Sequence, residues 1–407
     1  LQSHIICYKI YSWIFLMSDQ NINKEKIIIQ IIPNMEIGGA ENSVIETSSY
    51  LKKNNFRPLV LTTGGKLIEK LNLLGITVIK EKIDKRNIFT IVRNIFLFKR
   101  IFKEKQVELV HARSRAPAWS AYFAAKSLGI PFIATWHGHA ETRSYLKRIY
   151  NSVLIRGDAV IANSQYTTNN IKKNYKIDSD KIITIPRGVD YNDYNQELFS
   201  KNSIKKQRDD WLAEDTDIIL LLPARFSKWK GHKIALKALS ELKRRGLGNN
   251  LLLIFIGNSN RAKKYLSNLD KAAIKLGIKS QIKIFGSSNN MPLAYQACDI
   301  VLYPSTRPEP FGRVPIEAQA AGKPIIASNH GGVKETIIDG VNSTGFKVKA
   351  NDHLDLAEKI NLIVNSDKKN KNDLKERAIN NIKDNFSLNH MCKKTLDVYK
   401  RILNVSN

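Results

Sequence analysis

Three cysteines in 407 residues, Cys7, Cys298 and Cys392, leave no disulfide framework to build; none sits in a CxxC pair or has histidine neighbours at zinc-ligand spacing. A reducing, cytoplasmic setting fits. Long apolar runs are missing as well. The stretch Ile5 to Leu16 is interrupted by Lys9 and falls short of the roughly 20 residues of a spanning helix. It also lacks a basic n-region and a small-residue cleavage site. Met17, followed by the polar Ser18–Lys26, reads as a start, so residues 1–16 are expected to be a non-native upstream extension, with an interfacial anchor as the alternative. Acidic residues are scarce: 37 Asp and Glu face 65 Lys and Arg, a net charge of +28. That excess points to an anionic partner, whether nucleic acid, an anionic membrane or phosphorylated substrates. The competing explanation is A/T-rich coding, since Lys, Ile and Asn are abundant together. No RRM, KH or zinc-finger signature accompanies the dispersed cations, which argues against nucleic acid.

What is present is the composition of a globular chain, 43% hydrophobic with 21 Gly and 12 Pro. Single cores stop growing near about 250–300 residues, so this length implies two domains. Short apolar runs alternate with amphipathic stretches, the pattern of βαβ units and parallel sheets. Strands are expected at Lys26–Ile32, Arg57–Thr62, Ile76–Ile79, Val107–His111, Pro131–Trp136, Asp158–Ala162 and Lys181–Ile185. A second set falls at Ile218–Leu222, Leu251–Ile256, Gln281–Phe285, Ile300–Tyr303 and Pro324–Ala327. The polar, Asn-rich Tyr191–Arg208 lacks either period and reads as a linker. Two Rossmann-like doubly wound domains follow, residues 17–190 and 191–385, with a C-terminal helix over 386–407. From Asp352 onward only helical patterns remain.

Open α/β sheets bind ligands beyond the carboxyl ends of their strands, so the loops there are where ligand chemistry is expected. After the first strand, Gly38-Gly39-Ala40-Glu41 leads into a helix whose N-terminus favours an anion; it is not GxGxxG, which removes the main support for a nicotinamide or flavin site, and a tight turn is the competing reading. After the first strand of the second half, Arg225 and Lys230 are cations placed to face a diphosphate. The richest segment runs from Tyr303 to Ala318. Glu309 stands in its loop and Glu317 about one turn into the next helix, so both carboxylates can face one pocket, and Gly312 keeps the backbone bare between them. His137 and His139 follow another strand without an evident third metal ligand. Asp215-Thr216-Asp217 and Asp178-Ser179-Asp180 match a metal-binding D-x-D string, but both precede strands and read as solvated turns. Two arginines in His111–Pro117 stand where an acceptor phosphate or carboxylate could be received.

The combined pattern resembles the family 4 retaining glycosyltransferases of the GT-B fold. Gly38-Gly39-Ala40-Glu41, Arg225 with Lys230, Glu309 with Glu317 at the E-x7-E spacing, and Gly331-Gly332 stand in family order. The resemblance implies two Rossmann-like domains facing a cleft, and transfer of a sugar from a nucleotide-diphosphate sugar to a glycan or lipid-linked acceptor in bacterial surface polysaccharide or lipopolysaccharide synthesis. By the same resemblance, Arg225 and Lys230 hold the donor diphosphate, Glu317 the ribose and Glu309 the sugar hydroxyls. Backbone N–H groups around Phe311, Gly312, Arg313 and Val314 meet sugar and phosphates, and His137 touches the donor sugar. Lys230 and Glu317 are expected on exposed cleft loops. The family usually carries Asn where this chain has Arg187, so that turn departs from the pattern. No cofactor and no metal are expected, and the leaving phosphate itself takes the acceptor proton. A nucleotide-sugar epimerase, a phosphorylase and a basic nucleic-acid-binding protein are the alternatives. Finally, the stretch Lys85–Lys105 carries more apolar residues than one buried helix face needs, with Arg86, Arg93, Arg100 and Lys103 close together on a helical wheel; it reads as either a crossover helix or a contact with an anionic membrane, peripheral on its inner face.

Overall fold

Strands buried on both faces are written as near-continuous apolar runs, because helices cover a parallel sheet from either side. The computed structural model describes residues 25–36, 38–85, 87–138, 144–258 and 262–405. The expected extension over residues 1–16, Arg86 and His139 lie outside them. Seven strands, β1 (Lys26–Ile31), β2 (Phe56–Thr62), β3 (Thr77–Lys80), β4 (Leu109–Ala112), β5 (Phe132–Trp136), β6 (Ala159–Ala162) and β7 (Ile182–Thr184), form one sheet in the order β3-β2-β1-β4-β5-β6-β7. Six more, β8 (Ile218–Pro223), β9 (Leu251–Ile256), β10 (Ile282–Phe285), β11 (Ile300–Tyr303), β12 (Ile325–Ser328) and β13 (Phe346–Val348), form a second in the order β10-β9-β8-β11-β12-β13. Pairings of β1 with β2 and β4, and of β8 with β9 and β11, are parallel. The fold is therefore the expected pair of doubly wound α/β sheets with a helical end.

By compactness the chain divides into one unit ending at Ile133, which takes in Ile402–Val405, and another running from Ala134 to Arg401. In the first, β1 is the centre: Ile28, Ile29 and Ile31 are fully buried. The helix Ile88–Glu104 lies against the helix Arg115–Ser127 and buries Phe98, Ile101 and Phe102. In the second unit the period of two sorts one sheet into two cores. Ile219, Leu221, Ile254, Val301 and Ala327 belong to one, and Leu220, Leu222, Leu253, Phe255, Leu302 and Ile326 to the other. The C-terminal helix Leu388–Leu403 returns to the chain near Gly188: Val189 donates to the Phe386 carbonyl (2.9 Å) and Leu388 to that of Val189 (2.9 Å).

Two expectations need correction. Tyr191–Arg208 is not structureless: it holds 3₁₀ turns at Tyr191–Tyr194 and Gln196–Leu198 and most of a helix, Lys201–Asp210, capped by Ser200. That helix buries no residue, so it carries no apolar stripe to reveal it. Strand β13, Phe-Lys-Val, was not expected: unlike the equally short β7, which lies in the Ile-rich run of residues 182–185, it has a lysine at its centre and another, Lys349, on its C-terminal side.

Both sheets reverse strand order at their centres, between β1 and β4 and between β8 and β11, and such switch points are where α/β sheets open a crevice. At the second one the backbones nearly touch. Gly231 is left-handed (φ +81°), and a Cβ there would fall 1.9 Å from the Pro304 carbonyl oxygen. Gly231→Ala is therefore expected to cost at least about 2 kcal/mol, strain and clash together. Urea unfolding measures it, and a midpoint equal to the parent protein's would show that the loops can separate.

Candidate functional site

Strand β8 ends at Pro223, and the next residues close a single 3₁₀ turn, Lys228–Lys230, before the helix His232–Arg244 begins. The turn aims Lys230 inward, where it is only 8% exposed. Its ammonium donates to both carboxylate oxygens of Glu309 (2.8 and 2.7 Å) and to the Tyr303 hydroxyl (3.0 Å). It also lies over the rings of Trp229 (4.4 Å) and Tyr303 (4.9 Å). Burial lowers the Lys230 pKa, Glu309 opposes that shift and Arg225 adds to it. Arg225 itself is exposed. The expected exposure of Lys230 is thus wrong: it is buried, because its carboxylate partner comes from the neighbouring strand's loop.

That loop follows β11. Glu309 is 6% exposed and accepts a hydrogen bond from the Ser305 hydroxyl as well as from Lys230. Its backbone forms a parallel bridge with Gly331, and Gly332 N–H donates to its carbonyl (2.8 Å). A Cβ on Gly331 would meet the Glu309 oxygen at 2.5 Å, and one on Gly332 the Pro310 oxygen at 2.2 Å, so this glycine pair exists to let two loops run backbone to backbone. Gly312, at φ +89°, caps the helix Arg313–Ala320. The first N–H groups of that helix, at Arg313 and Val314, have no acceptor within it. The Phe311 side chain is buried against Phe386 (centroids 6.0 Å), so any contact it makes with a ligand is through its backbone.

Glu317 stands about one turn into the helix, as expected, but is half-buried rather than exposed. It accepts from Tyr295 Oη (2.9 Å) and Arg313 Nε (3.1 Å). Burial and Glu317 push the Tyr295 hydroxyl well above its ordinary pKa. Tyr303 is raised likewise, by burial first, then by Glu309 and Glu317, with Arg225 opposing. Arg225, Lys230, Tyr303, Glu309 and Glu317 thus form one electrostatic neighbourhood beyond the carboxyl ends of β8 and β11. The structure gives contacts to Tyr303 and Ser305, which lie in the segment singled out from sequence without a role, and adds Tyr295. None had a recognisable motif, since a Tyr ending a strand reads as core.

Other parts of the second unit hold this loop. Ser164 and Thr167 donate to the Pro310 carbonyl, and the Glu335 carboxylate accepts from the N–H groups of Gln165 (2.8 Å) and Tyr166 (2.6 Å) at a helix start. His137, after β5, meets the buried guanidinium of Arg187 at its Nδ1. Arg187, which departs from the expected Asn, thereby supports the histidine. In the first unit Gly38 caps the helix Gly39–Lys53 in extended backbone. Arg113 is buried and donates to Ser43 and Thr47, so it serves that helix. Asp215 is fully exposed, paired with Lys205 (3.0 Å), and precedes β8, as expected of a solvated turn.

Residues 203–381 match the family described as glycosyl transferases group 1, and residues 37–193 match glycosyltransferase family 4. The chain belongs to the family 4 glycosyltransferases. A solved glycosyltransferase from Rickettsia africae is 33% identical, superposes with a TM-score of 0.85, and covers 94% of this chain and 100% of its own. Anabaena HepE, solved with UDP and glucose, is 22% identical with a TM-score of 0.80 over 93% of this chain and 100% of its own, a likeness of fold. Among curated relatives, a D-inositol 3-phosphate glycosyltransferase from Corynebacterium aurimucosum is 24% identical over 67% of each chain. The match takes in 64% of the same-named protein of Xylanimonas cellulosilytica and 58% of that of Corynebacterium diphtheriae.

One buried group beside the glycosyltransferase's Lys230 escaped the sequence reading. His232 is fully buried among Phe226, Phe255 and Tyr265. Burial, with help from Lys230, lowers its pKa from 6.5 to about 4. With the folded pKa depressed, stability is complete above pH 6.5 and drains away as the pH falls toward 4, by about 3 kcal/mol in all. His232→Leu should remove that part of the acid sensitivity, read as urea unfolding free energy between pH 7 and 4. Equal acid slopes in parent and variant would contradict it.

Proposed function

We propose that this glycosyltransferase moves a sugar from a nucleotide-diphosphate sugar, with retention, to a glycan or lipid-linked acceptor in surface polysaccharide or lipopolysaccharide synthesis. The observation that carries the reading is the gathering of Arg225, Lys230, Glu309 and Glu317 beyond the carboxyl ends of β8 and β11, next to a helix start. Arg225 and Lys230 take the diphosphate, Glu317 the ribose hydroxyls and Glu309 the sugar hydroxyls. Gly312 and the N–H groups after it are assigned to the leaving phosphates and His137 to the donor sugar, and the Gly38-Gly39 helix start of the first unit is read, by itself, as a place that favours an anion. Charge developing on the departing diphosphate is met by fixed cations and N–H dipoles, which cost no reorganisation at the moment of bond breaking. The leaving phosphate accepts the acceptor's proton, so neither a side-chain base nor a metal is assigned. A nucleotide-sugar donor is consistent with the Anabaena HepE structure containing UDP-glucose.

Because Arg225 is exposed, Arg225→Ala leaves the fold intact while weakening UDP or GDP binding on the order of tenfold or more, as loss of a charge-assisted hydrogen bond implies. Thermal-shift titration checks this, and an unchanged response would remove Arg225 from the site. Turnover of a panel of UDP- and GDP-sugars should survive EDTA and the double change Asp215→Ala, Asp217→Ala. Activity lost to EDTA and restored by manganese would overturn the metal-independent reading.

The acceptor side of this reading includes an anionic membrane surface at residues 85–105. No described helix is long and apolar enough to cross a membrane. On the helix Ile88–Glu104, however, Ile88, Phe89, Val92 and Phe96 stay exposed, Phe89 to 84% and Phe96 to 69%, at one-turn spacing beside Arg93, Lys99 and Arg100. The helix packs its other face against the helix Arg115–Ser127, so crossover packing leaves the exposed face available for the membrane contact proposed here. Phe89→Ser with Phe96→Ser should reduce co-sedimentation with phosphatidylglycerol vesicles, as should roughly 0.5 M salt, which screens charges beyond about 4 Å. Equal sedimentation with neutral and anionic vesicles, or none with either, would reject the membrane contact.

A further inference from the structure

An ammonium group has three N–H donors, and those of Lys230 are all committed: two to the oxygens of Glu309 and one to Tyr303. The pair is buried, so each charge depends on the other for compensation. A phosphate oxygen can therefore gain Lys230 only by displacing one of these acceptors, and because two of the three N–H groups go to Glu309, a phosphate that engages the ammonium with more than one oxygen must take it from the carboxylate. Once that happens, the carboxylate keeps the Ser305 hydroxyl but has lost its cation, and it now lies beside a second anion. New donors must replace the ammonium. Sugar hydroxyls at Glu309 do so; a nucleoside diphosphate without a sugar brings none.

We propose that Glu309 is an internal counter-ion which the donor diphosphate must displace from Lys230, and that this exchange makes the site select sugar-bearing nucleotides over the bare nucleoside diphosphate. The inference rests on the reading above, in which Lys230 takes the diphosphate and Glu309 the sugar. Its functional consequence concerns the end of the reaction. When the sugar leaves, Glu309 loses its hydroxyl partners, reclaims Lys230, and so weakens the hold on the nucleoside diphosphate product. One pair of side chains would thus couple donor recognition to product release.

Calorimetric titration with UDP, GDP and their sugar derivatives tests the exchange. Glu309→Gln keeps the size and hydrogen-bonding capacity of the side chain but removes the competing charge. It should bind the bare diphosphate about tenfold more tightly than the parent, with a smaller gain for the sugar nucleotide, so that the selectivity narrows. Should Glu309→Gln unfold, Glu309→Asp, one methylene shorter, is expected to act in the same direction with smaller size. The double variant Lys230→Met, Glu309→Gln removes the diphosphate's cation as well as its competitor and should bind the bare diphosphate more weakly than the parent. Unchanged or weaker diphosphate binding by Glu309→Gln would overturn the counter-ion role while leaving the site in place. An equal gain for sugar nucleotide and bare diphosphate would overturn the selectivity. Parent-like diphosphate binding by the double variant, or no binding of either diphosphate to the parent, would overturn the site reading and the exchange with it.

Discussion

The contact between Lys230 and Glu309 sets the conditions for the rest of the site. A buried ion pair persists only when its geometry is good and its remaining donors and acceptors are used. Here the ammonium spends every N–H, and the carboxylate takes Ser305 in addition. The two side chains come from loops after β8 and β11, strands adjacent in the sheet but far apart in sequence. Bringing them together requires the loops to approach at backbone distance. Gly231 makes room for the Pro304 carbonyl, and Gly331 and Gly332 make room for Glu309 and Pro310. The glycines and the charges are thus one device, since a Cβ at any of these positions would push the loops apart.

A site of this kind is preorganised from behind. The Phe311 side chain is anchored in the core beside Phe386, and the Pro310 carbonyl takes hydroxyls from Ser164 and Thr167. Glu317 is oriented by Tyr295 and Arg313. Fixing the loop during folding means that little has to be ordered when a ligand arrives, which is where electrostatic catalysis gains its advantage. The same arrangement mixes roles. Lys230 and Glu309 compensate each other's buried charge and are also the groups proposed to meet the donor, whereas Arg225 beside them is exposed. A large positive net charge then has at least two local expressions, the cations at β8 and the basic residues flanking the exposed Phe89 and Phe96.

Much of the architecture was legible from one sequence because it is written in local patterns. Apolar runs of four to seven residues between amphipathic stretches marked the strands, with β13 too interrupted by lysine to register. The helix Lys201–Asp210 was missed because it buries nothing. Arg225, Lys230, Glu309 and Glu317 stood out because charged residues and glycines directly after buried strands are chemically unusual, and their order along the chain matched a family.

What local pattern could not supply was who touches whom. Exposure was misjudged for Lys230 and Glu317, since burial of a charge depends on a partner brought from elsewhere in the fold: Glu309 for the one, Tyr295 and Arg313 for the other. His232, Tyr303 and Ser305 carry no motif, and Arg187 looked only like a departure until it met His137. Periodicity and residue type are properties of neighbouring positions, so the sequence alone determined most of the elements and their parallel class and singled out the loops proposed to bear chemistry. Pairing energies and desolvation depend on contacts between residues tens to hundreds of positions apart, and those were decided by the tertiary structure.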